Sequence, residues 1–106
     1  MLKLVNLVLG DFMKKIVLDD ITYELLKNVR DAFVLEDIKK LYTDYFYDYD
    51  YVVGDYAYSK LRLKGFYDST NKNVKDINNI DGLDNYINNQ CAFNCKYFVL
   101  KRIMKK

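Results

Sequence analysis

The sequence contains no histidine, no tryptophan and no proline, and only four of its 106 residues are glycine. The absence of histidine removes the commonest general base and the commonest metal ligand found in proteins. The glycines are isolated from one another, so the chain has no glycine-rich loop that could hold a phosphate group. We therefore expect a protein that is not an enzyme and that needs no cofactor.

Cysteine and long apolar runs are also scarce, and this limits where in the cell the protein is expected to act. Two cysteines are too few for a disulfide scaffold. The apolar run from Leu4 to Leu9 is too short to cross a bilayer, which takes about 20 residues, and it lacks a cleavage signal. We expect a cytoplasmic protein without a membrane partner, in which residues 1–14 form an N-terminal extension and residues 15–106 form a single domain.

The composition is otherwise that of an ordinary globular domain, with 51% hydrophobic and 30% charged residues. A net charge of +2 creates no global attraction for a polyanion, so a nucleic-acid interface would have to come from a local cluster of cations. Tyrosine is abundant, at 11 residues. Turns must rely on asparagine and aspartate because proline is missing and glycine is rare.

Several short runs predict strands. The runs KIVL and ITYELL on either side of Asp19 and Asp20 predict a hairpin. YVVGDY and KLRLKGFY predict a second pair of strands joined by the turn AYS, and Gly54 in the first of them indicates a bulge or a close backbone approach. The run KYFVLKRI has a continuous apolar centre, which predicts a central strand buried on both faces.

Two segments predict helices. VLEDIKKLYTDYFYD has apolar residues at helical spacing, and GLDNYINNQ follows Asp81, a suitable helix cap. These patterns predict an α+β fold, a mostly antiparallel sheet of about five strands packed against two helices. The apolar face of the first helix is expected to carry Leu35, Ile38, Leu41, Tyr42 and Tyr45. The expected core residues of the domain are Ile38, Leu41, Val52, Leu61, Leu63, Phe98 and Leu100.

Two blocks of the sequence resemble a known family. YDYVVGDYAYSKLRLKGFYD, at residues 49–68, and CAFNCKYFVLKR, at residues 91–102, are similar to the signature blocks of the YutD-like family of small bacterial domains. The resemblance implies a fold and a bacterial, cytoplasmic setting, and it carries no reaction. The family usually has glycine where this chain has Ala57, and a turn with positive φ at that place would be strained by the Cβ atom.

The strand KLRLKGF carries three cations at a spacing of two. Alternation puts Lys60, Arg62 and Lys64 on one face and the leucines between them on the other, toward the core. One interpretation is a solvated strand face whose charge is offset by nearby aspartates. In that case Asp55 would pair with Lys60 or Arg62 and contribute about 0.2–1 kcal/mol per pair.

A second interpretation is an interface for RNA or a ribonucleoprotein. Aromatic residues flank the three cations, and the last strand would add further cations if it lay beside them. Aromatic rings next to Lys and Arg bind single-stranded RNA, with stacking of about 1–3 kcal/mol per base. The candidate phosphate contacts are Lys60, Arg62, Lys64, Lys101 and Arg102, and the candidate stacking residues are Tyr56, Tyr58 and Phe66.

A third interpretation is a protein–protein adaptor or small regulatory subunit. The segment from Tyr45 to Tyr58 is rich in tyrosine, a residue type favoured at the energetic centres of protein interfaces. The partner would then be a protein and not a nucleic acid.

The two cysteines, Cys91 and Cys95, are four residues apart and leave three interpretations open. They are small buried hydrophobes, a redox pair that forms a reversible disulfide, or part of a metal site. A closed zinc site takes four ligands, so two thiols without histidine would need two carboxylates or a second copy of the chain. We therefore assign no metal.

Overall fold

Five antiparallel strands form one sheet in the computed structural model, which describes residues 14–90 and 95–105. In chain order the elements are β1 (Lys15–Leu18), β2 (Ile21–Val29), α1 (Leu35–Leu41), β3 (Tyr51–Ala57), β4 (Lys60–Phe66), α2 (Leu83–Gln90) and β5 (Tyr97–Lys105). The order across the sheet is β1-β2-β5-β3-β4. The expected α+β fold and the central place of the last strand are confirmed. Residues 1–13, which make up most of the expected extension, lie outside the described part.

The sheet is buried on both faces, which explains the continuous apolar centre of β5. Phe98 and Leu100 point to one face, where they form a cluster with Ile38 of α1. Val99 points to the opposite face, where it packs in a second cluster with Leu83 of α2. We call these the α1 face and the α2 face. Neither helix in the described ranges is long and apolar enough to cross a membrane.

Tyrosines form part of the core on the α1 face. Tyr23 is fully buried, and its hydroxyl shares a hydrogen bond of 2.6 Å with the hydroxyl of Tyr42. The ring of Tyr42 stacks on the ring of Phe46, with 5.8 Å between their centroids. Because the two hydroxyls satisfy each other, both rings can be buried without an unpaired polar group. Packing thus accounts for part of the high tyrosine content.

The first helix is shorter than its sequence pattern predicts. It ends at Leu41 because Tyr42 adopts extended backbone, with φ −75° and ψ 128°. The side chain of Thr43 then accepts a hydrogen bond from the N–H of Tyr45 at 3.3 Å and starts a separate 3₁₀ turn, Asp44–Phe46. A single helix across this whole segment was therefore a wrong expectation.

The early end of α1 also changes which side chains are buried. Ile38 is fully buried, as expected, but Leu35, Leu41 and Tyr45 are exposed. The turn after α1 rotates the chain, so Phe46 takes the buried place that helical spacing assigned to its neighbour. Leu41 is consequently not a core residue.

Two further expectations are corrected near β4. Leu61 and Leu63 are half-buried and pack against the core from its margin, because β4 has a strand on one side only. Asn79, and not Asp81, provides a cap before α2. Its side chain accepts the N–H of Asp81 at 2.9 Å and begins the 3₁₀ turn Ile80–Gly82.

Gly54 permits the closest contact between β3 and the core. A Cβ atom built on Gly54 would lie 2.1 Å from the ring of Phe98, well inside van der Waals contact. The register of β3 with both neighbours is continuous, so the glycine serves the close approach and not a bulge. The side chain of Phe98 therefore fills the space that a larger residue in β3 would need.

Both hairpins turn through two residues in the left-handed region, and neither uses glycine. In the β1–β2 turn these residues are Asp19 and Asp20, and in the β3–β4 turn they are Tyr58 and Ser59, with φ 53° and 66°. Aspartate tolerates this backbone better than most residues, whereas tyrosine does not. Ala57 extends β3, so the strain expected there lies on the next two residues.

We expect Ser59→Gly to stabilise the protein by about 1 kcal/mol, because glycine adopts positive φ without the Cβ penalty. Urea unfolding would show a higher midpoint at an unchanged slope. Ser69→Gly is the matched control, since Ser69 is exposed and lies outside the left-handed region. Equal effects of the two substitutions would contradict the assignment of strain to this turn.

Candidate functional site

A bidentate ion pair joins β3 and β4 directly across the sheet. Asp55 faces Arg62 in the strand register, and the two side chains meet through Nε to Oδ1 at 3.1 Å and Nη2 to Oδ2 at 2.8 Å. Arg62 also donates to the carbonyl oxygen of Gln90, the last residue of α2, at 3.0 Å. One guanidinium therefore ties together two strands and the end of a helix.

Burial makes this pair a structural requirement of the fold. The side chain of Asp55 is 1% exposed, and that of Arg62 is 39% exposed. A buried carboxylate without a partner is costly, and a bidentate guanidinium satisfies both of its oxygens. The hydrogen bonds that Arg62 donates to Asp55 raise the pKa of Arg62. Burial first, and then the nearby charge of Asp55, raise the pKa of Tyr86 in α2 above its ordinary value.

The cationic face of β4 is therefore only partly open to solvent, and the interpretation in which Asp55 pairs with Arg62 is confirmed. Lys60, Arg62 and Lys64 lie on the α2 face, where α2 packs. The ammonium group of Lys64 lies over the rings of Phe66 and Tyr86, at 5.1 and 5.7 Å from their centroids. Lys60 is exposed, and the described residues show no ion pair for it. The three cations thus have different surroundings. Arg62 is paired with an aspartate, Lys64 lies over aromatic rings, and Lys60 is exposed to solvent.

The cations of the last strand do not merge with those of β4. β3 lies between β4 and β5, so the strands are not neighbours. Lys101 and Arg102 point to opposite faces, as consecutive strand residues must. Arg102 donates to the carbonyl of Tyr47 and pairs with Asp50 at 3.4 Å. The expected continuous basic surface is therefore absent from the described residues.

The three candidate stacking residues differ in exposure. Phe66 is 1% exposed and packs beneath α2, so its ring has no face to offer a base. Tyr56 is half-buried; its hydroxyl donates to the carbonyl of Ala32 at 3.2 Å, and Lys96 lies over its ring at 4.4 Å. Only Tyr58, at 98% exposure on the β3–β4 turn, remains available. Tyr56 and Phe66 are thus engaged in packing, and the three rings do not form one exposed stacking surface.

We expect Arg62→Met to destabilise the protein by roughly 3 kcal/mol, because it leaves the carboxylate of Asp55 buried without its main partner. Lys60→Met, on the same strand and face but exposed, should change stability by no more than about 0.5 kcal/mol. Urea unfolding of both variants measures the difference. A second comparison, Asp55→Asn combined with Arg62→Met, should cost less than the sum of the single changes. Equal costs for the methionine variants would contradict the role given to the ion pair.

A row of three tyrosines lies at the other end of β4. Tyr45, Tyr49 and Tyr67 follow one another with ring centroids 5.5 and 4.7 Å apart, and we call them the tyrosine row. The ring of Tyr49 covers the backbone of Gly65, where a Cβ atom would lie 2.3 Å from it. A glycine in an edge strand with an aromatic ring over it is a known packing device. Gly65 thus fixes the position of the row.

A cleft opens between the tyrosine row and the outer edge of β4. Its volume is about 260 Å³. Two of its walls are exposed apolar side chains, Tyr45 at 65% and Ile77 at 73%. Its lining residues are Tyr45, Tyr49, Leu63, Lys64, Gly65, Ile77 and Asn78. We call this the edge cleft.

Most of the edge cleft was not predicted from the sequence, although the sequence carries two signals of it. Gly65 inside an apolar strand indicated that another group approaches the backbone closely. Ile77 is an isolated apolar residue in a long polar segment, and such a residue is either buried or part of a binding surface. Neither signal shows which elements meet there, because the bridge between Tyr67 and Asn79 brings Ile77 beside β4 from more than ten positions away.

Cys95 is disulfide-bonded and half-buried. The interpretation of Cys95 as a buried free thiol is therefore wrong. Its Sγ atom lies 3.2 Å from the carbonyl oxygen of Lys96. Cys91, the other cysteine of the sequence, lies in the segment 91–94, outside the described residues. Within residues 14–90 and 95–105, no group of three or more thiol and carboxylate side chains is placed to hold a metal ion.

A family model described as "Putative antitoxin YutD-like" matches residues 17–101 of this chain, from β1 to β5. The chain belongs to the YutD-like family. This confirms the resemblance carried by the two sequence blocks, which lie at β3–β4 and at the start of β5. Both the Asp55–Arg62 ion pair and Gly65 fall within the first block.

A Bacillus subtilis protein resembles the chain over most of its length, both in sequence and in a solved structure. The protein named "Putative antitoxin YutD" is 46% identical over 90 residues, which are 85% of this chain and 99% of that protein. A solution NMR structure of the protein yutD superposes with a TM-score of 0.73 at 44% identity, over 87% of this chain and 84% of that one.

The tyrosine row provides a pH test of the site. The hydroxyls of Tyr45 and Tyr49 are 3.1 Å apart, and this hydrogen bond, followed by burial, raises the pKa of Tyr49 to about 12. The folded state therefore holds this proton more tightly than the unfolded chain, whose tyrosines titrate near about 10. The resulting stabilisation is complete below about pH 10 and is lost as pH rises toward about 12.

We expect Tyr49→Phe to remove this part of the alkaline pH dependence. Above about pH 10, the free energy of unfolding of the variant should fall less steeply than that of the unmodified protein, because the variant has no Tyr49 hydroxyl to deprotonate. Urea unfolding at a series of pH values measures both slopes. Parallel curves for the two proteins would show that the Tyr45–Tyr49 hydrogen bond does not hold the proton.

Proposed function

We propose that this protein is a non-catalytic protein-binding module that acts as a small regulatory subunit through its edge cleft and tyrosine row. The observation that carries the proposal is the exposure of Tyr45 and Ile77 on either side of a concave, partly apolar surface. Tyrosine is enriched at the energetic centres of protein interfaces because it combines a large apolar ring with a polar tip.

The name of the relatives supports a protein partner. Both the family and the Bacillus subtilis protein are described as a putative antitoxin. An antitoxin acts by countering a toxin, so a regulatory role through a bound partner agrees with that description. The proposal for this chain does not depend on which toxin is meant.

The geometry favours a protein over RNA as the partner. The central cation of the β4 row, Arg62, is held by Asp55, so a phosphate contact there would compete with the internal ion pair. Phe66 is buried, which removes one of the three expected stacking rings. RNA binding normally draws on several unpaired cations and exposed rings together.

Affinity capture with the full chain, from a lysate of the source bacterium treated with nuclease, tests the proposal. We expect a protein partner to remain bound, and we expect the purified partner to bind the purified chain in calorimetry. Tyr45→Ala should weaken that binding by about 1–2 kcal/mol, because it removes one wall of the edge cleft. Far-ultraviolet circular dichroism should show that the variant keeps its fold.

Tyr58→Ala is the matched control, since Tyr58 is more exposed than Tyr45 but lies at the opposite end of β4. It should leave the affinity unchanged. Loss of the partner after nuclease treatment would contradict the proposal and support the RNA interpretation instead. Equal losses for the two alanine variants would contradict the location of the site.

A further inference from the structure

Directly after β4, on the side away from β3, the backbone already bonds to another segment of the chain at one position. Tyr67, directly after β4, forms a parallel bridge with Asn79. The N–H of Tyr67 donates to the carbonyl of Asn78 at 2.7 Å, and its carbonyl accepts the N–H of Ile80 at 2.9 Å. The backbone groups of Tyr67 thus point away from β3, into the space along the outer edge of β4. We call this space, beside residues 61–67, the lane.

Alternation along the strand extends this lane. Since the backbone groups of Tyr67 point outward, those of Leu61, Leu63 and Gly65 point outward as well, while the residues between them bond to β3. The described residues show no hydrogen bond from another element to these three backbones. With respect to residues 14–90 and 95–105, the three alternate bonding positions Leu61, Leu63 and Gly65 are therefore open, and they end at the edge cleft, which Asn78 lines.

Charge makes a second copy of this chain a poor occupant of the lane. An antiparallel pair of β4 strands centred on Leu63 would place Arg62 opposite Lys64 of the other copy, twice. Like charges directly opposite each other destabilise a strand pair, and cations on an edge strand are a common protection against self-association. The edge is thus open to a strand with the opposite charge.

We propose that the protein partner contributes an extended segment that adds as a sixth strand along the outer edge of β4, which rests on the proposed function. On the α2 face this segment carries acidic side chains, next to Lys60 and Lys64. On the α1 face it carries apolar side chains, the last of which enters the edge cleft between the tyrosine row and Ile77. Backbone hydrogen bonds supply the contact, and the alternating side chains supply the selection.

The two faces of β4 differ in character, which is why the added segment should alternate acidic and apolar side chains. Successive strand residues point to opposite faces, so every second residue of an added strand meets the cationic side. The residues between them meet Leu61, Leu63 and the ring of Tyr49 over Gly65. A segment of uniform polarity would leave either the charges or the apolar surface without a match.

Peptide selection tests this inference. A phage-displayed library of linear peptides, each long enough for one strand, is selected on the immobilised full chain, and the enriched peptides are synthesised. We expect them to alternate acidic and apolar residues. When such a peptide binds, amide hydrogen exchange measured by NMR should slow at Leu61, Leu63 and Gly65 and stay unchanged at Arg62 and Lys64, whose amides already bond to β3.

Two variants and a control locate the binding energy. Ile77→Asp should weaken peptide binding about tenfold or more, since it places a charge in the edge cleft, and Lys60→Glu should weaken it through repulsion of the acidic side chains. Tyr58→Ala should leave it unchanged. Ile77 and Lys60 are both exposed, so neither change should disturb the fold.

The outcomes separate this inference from the proposed function. Peptides that bind without slowing exchange at the outward amides of β4 would overturn strand addition and leave the protein-binding function intact. Failure to enrich any peptide, while the captured partner still binds, would likewise overturn strand addition and leave the protein-binding function intact. Slowed exchange at these amides that rises with protein concentration alone would replace the partner with a second copy of the chain.

Discussion

The ion pair between Asp55 and Arg62 is the interaction on which the arrangement of this protein depends. It fixes the register of β3 against β4, and through Gln90 it fixes the end of α2 over the same face. Because the carboxylate is buried, the pair cannot open to bind a ligand without a large cost. In β4, which looks cationic in the sequence, the central cation Arg62 therefore stabilises the fold and is not available for a ligand.

The position of α2 follows from this commitment and determines which surface remains. With α1 on one face of the sheet and α2 on the other, β3 and β5 have no exposed face along their centres. The open features of the described residues are therefore at the margins of the sheet, which are β1 on one side and β4 on the other. The β4 margin carries the proposed site. There the tyrosine row and Ile77 form the walls of a cleft, and the backbone of β4 keeps outward bonding positions. A binding role at the margin is what this architecture leaves available.

Much of the fold could be predicted from the sequence because it is encoded in local alternation. The first hairpin and the two strands around Tyr58 appear where period-two patterns place them, and the central strand with Phe98 appears where a continuous apolar run places it. The prediction that Asp55 offsets a cation of β4 is confirmed at Arg62, since the two lie within one hairpin and their register follows from a two-residue turn.

What could not be predicted depends on contacts between distant segments. Helical spacing after Ile38 was real, but the extended backbone at Tyr42 ended the helix and exposed Leu41 and Tyr45. The separation of β4 from β5 depends on strand order, which no local pattern encodes. The edge cleft combines three segments of the chain, so single residues such as Ile77 gave only a hint of it.

The most direct test of the account is a titration of a short, fluorescently labelled single-stranded RNA with the full chain at two salt concentrations, followed by anisotropy. If the cations of β4 serve the fold and a protein partner, binding should be weak, and Lys60→Ala should leave its salt dependence unchanged. Tight binding with a salt slope that falls by about one unit in Lys60→Ala would identify a phosphate contact and contradict the account.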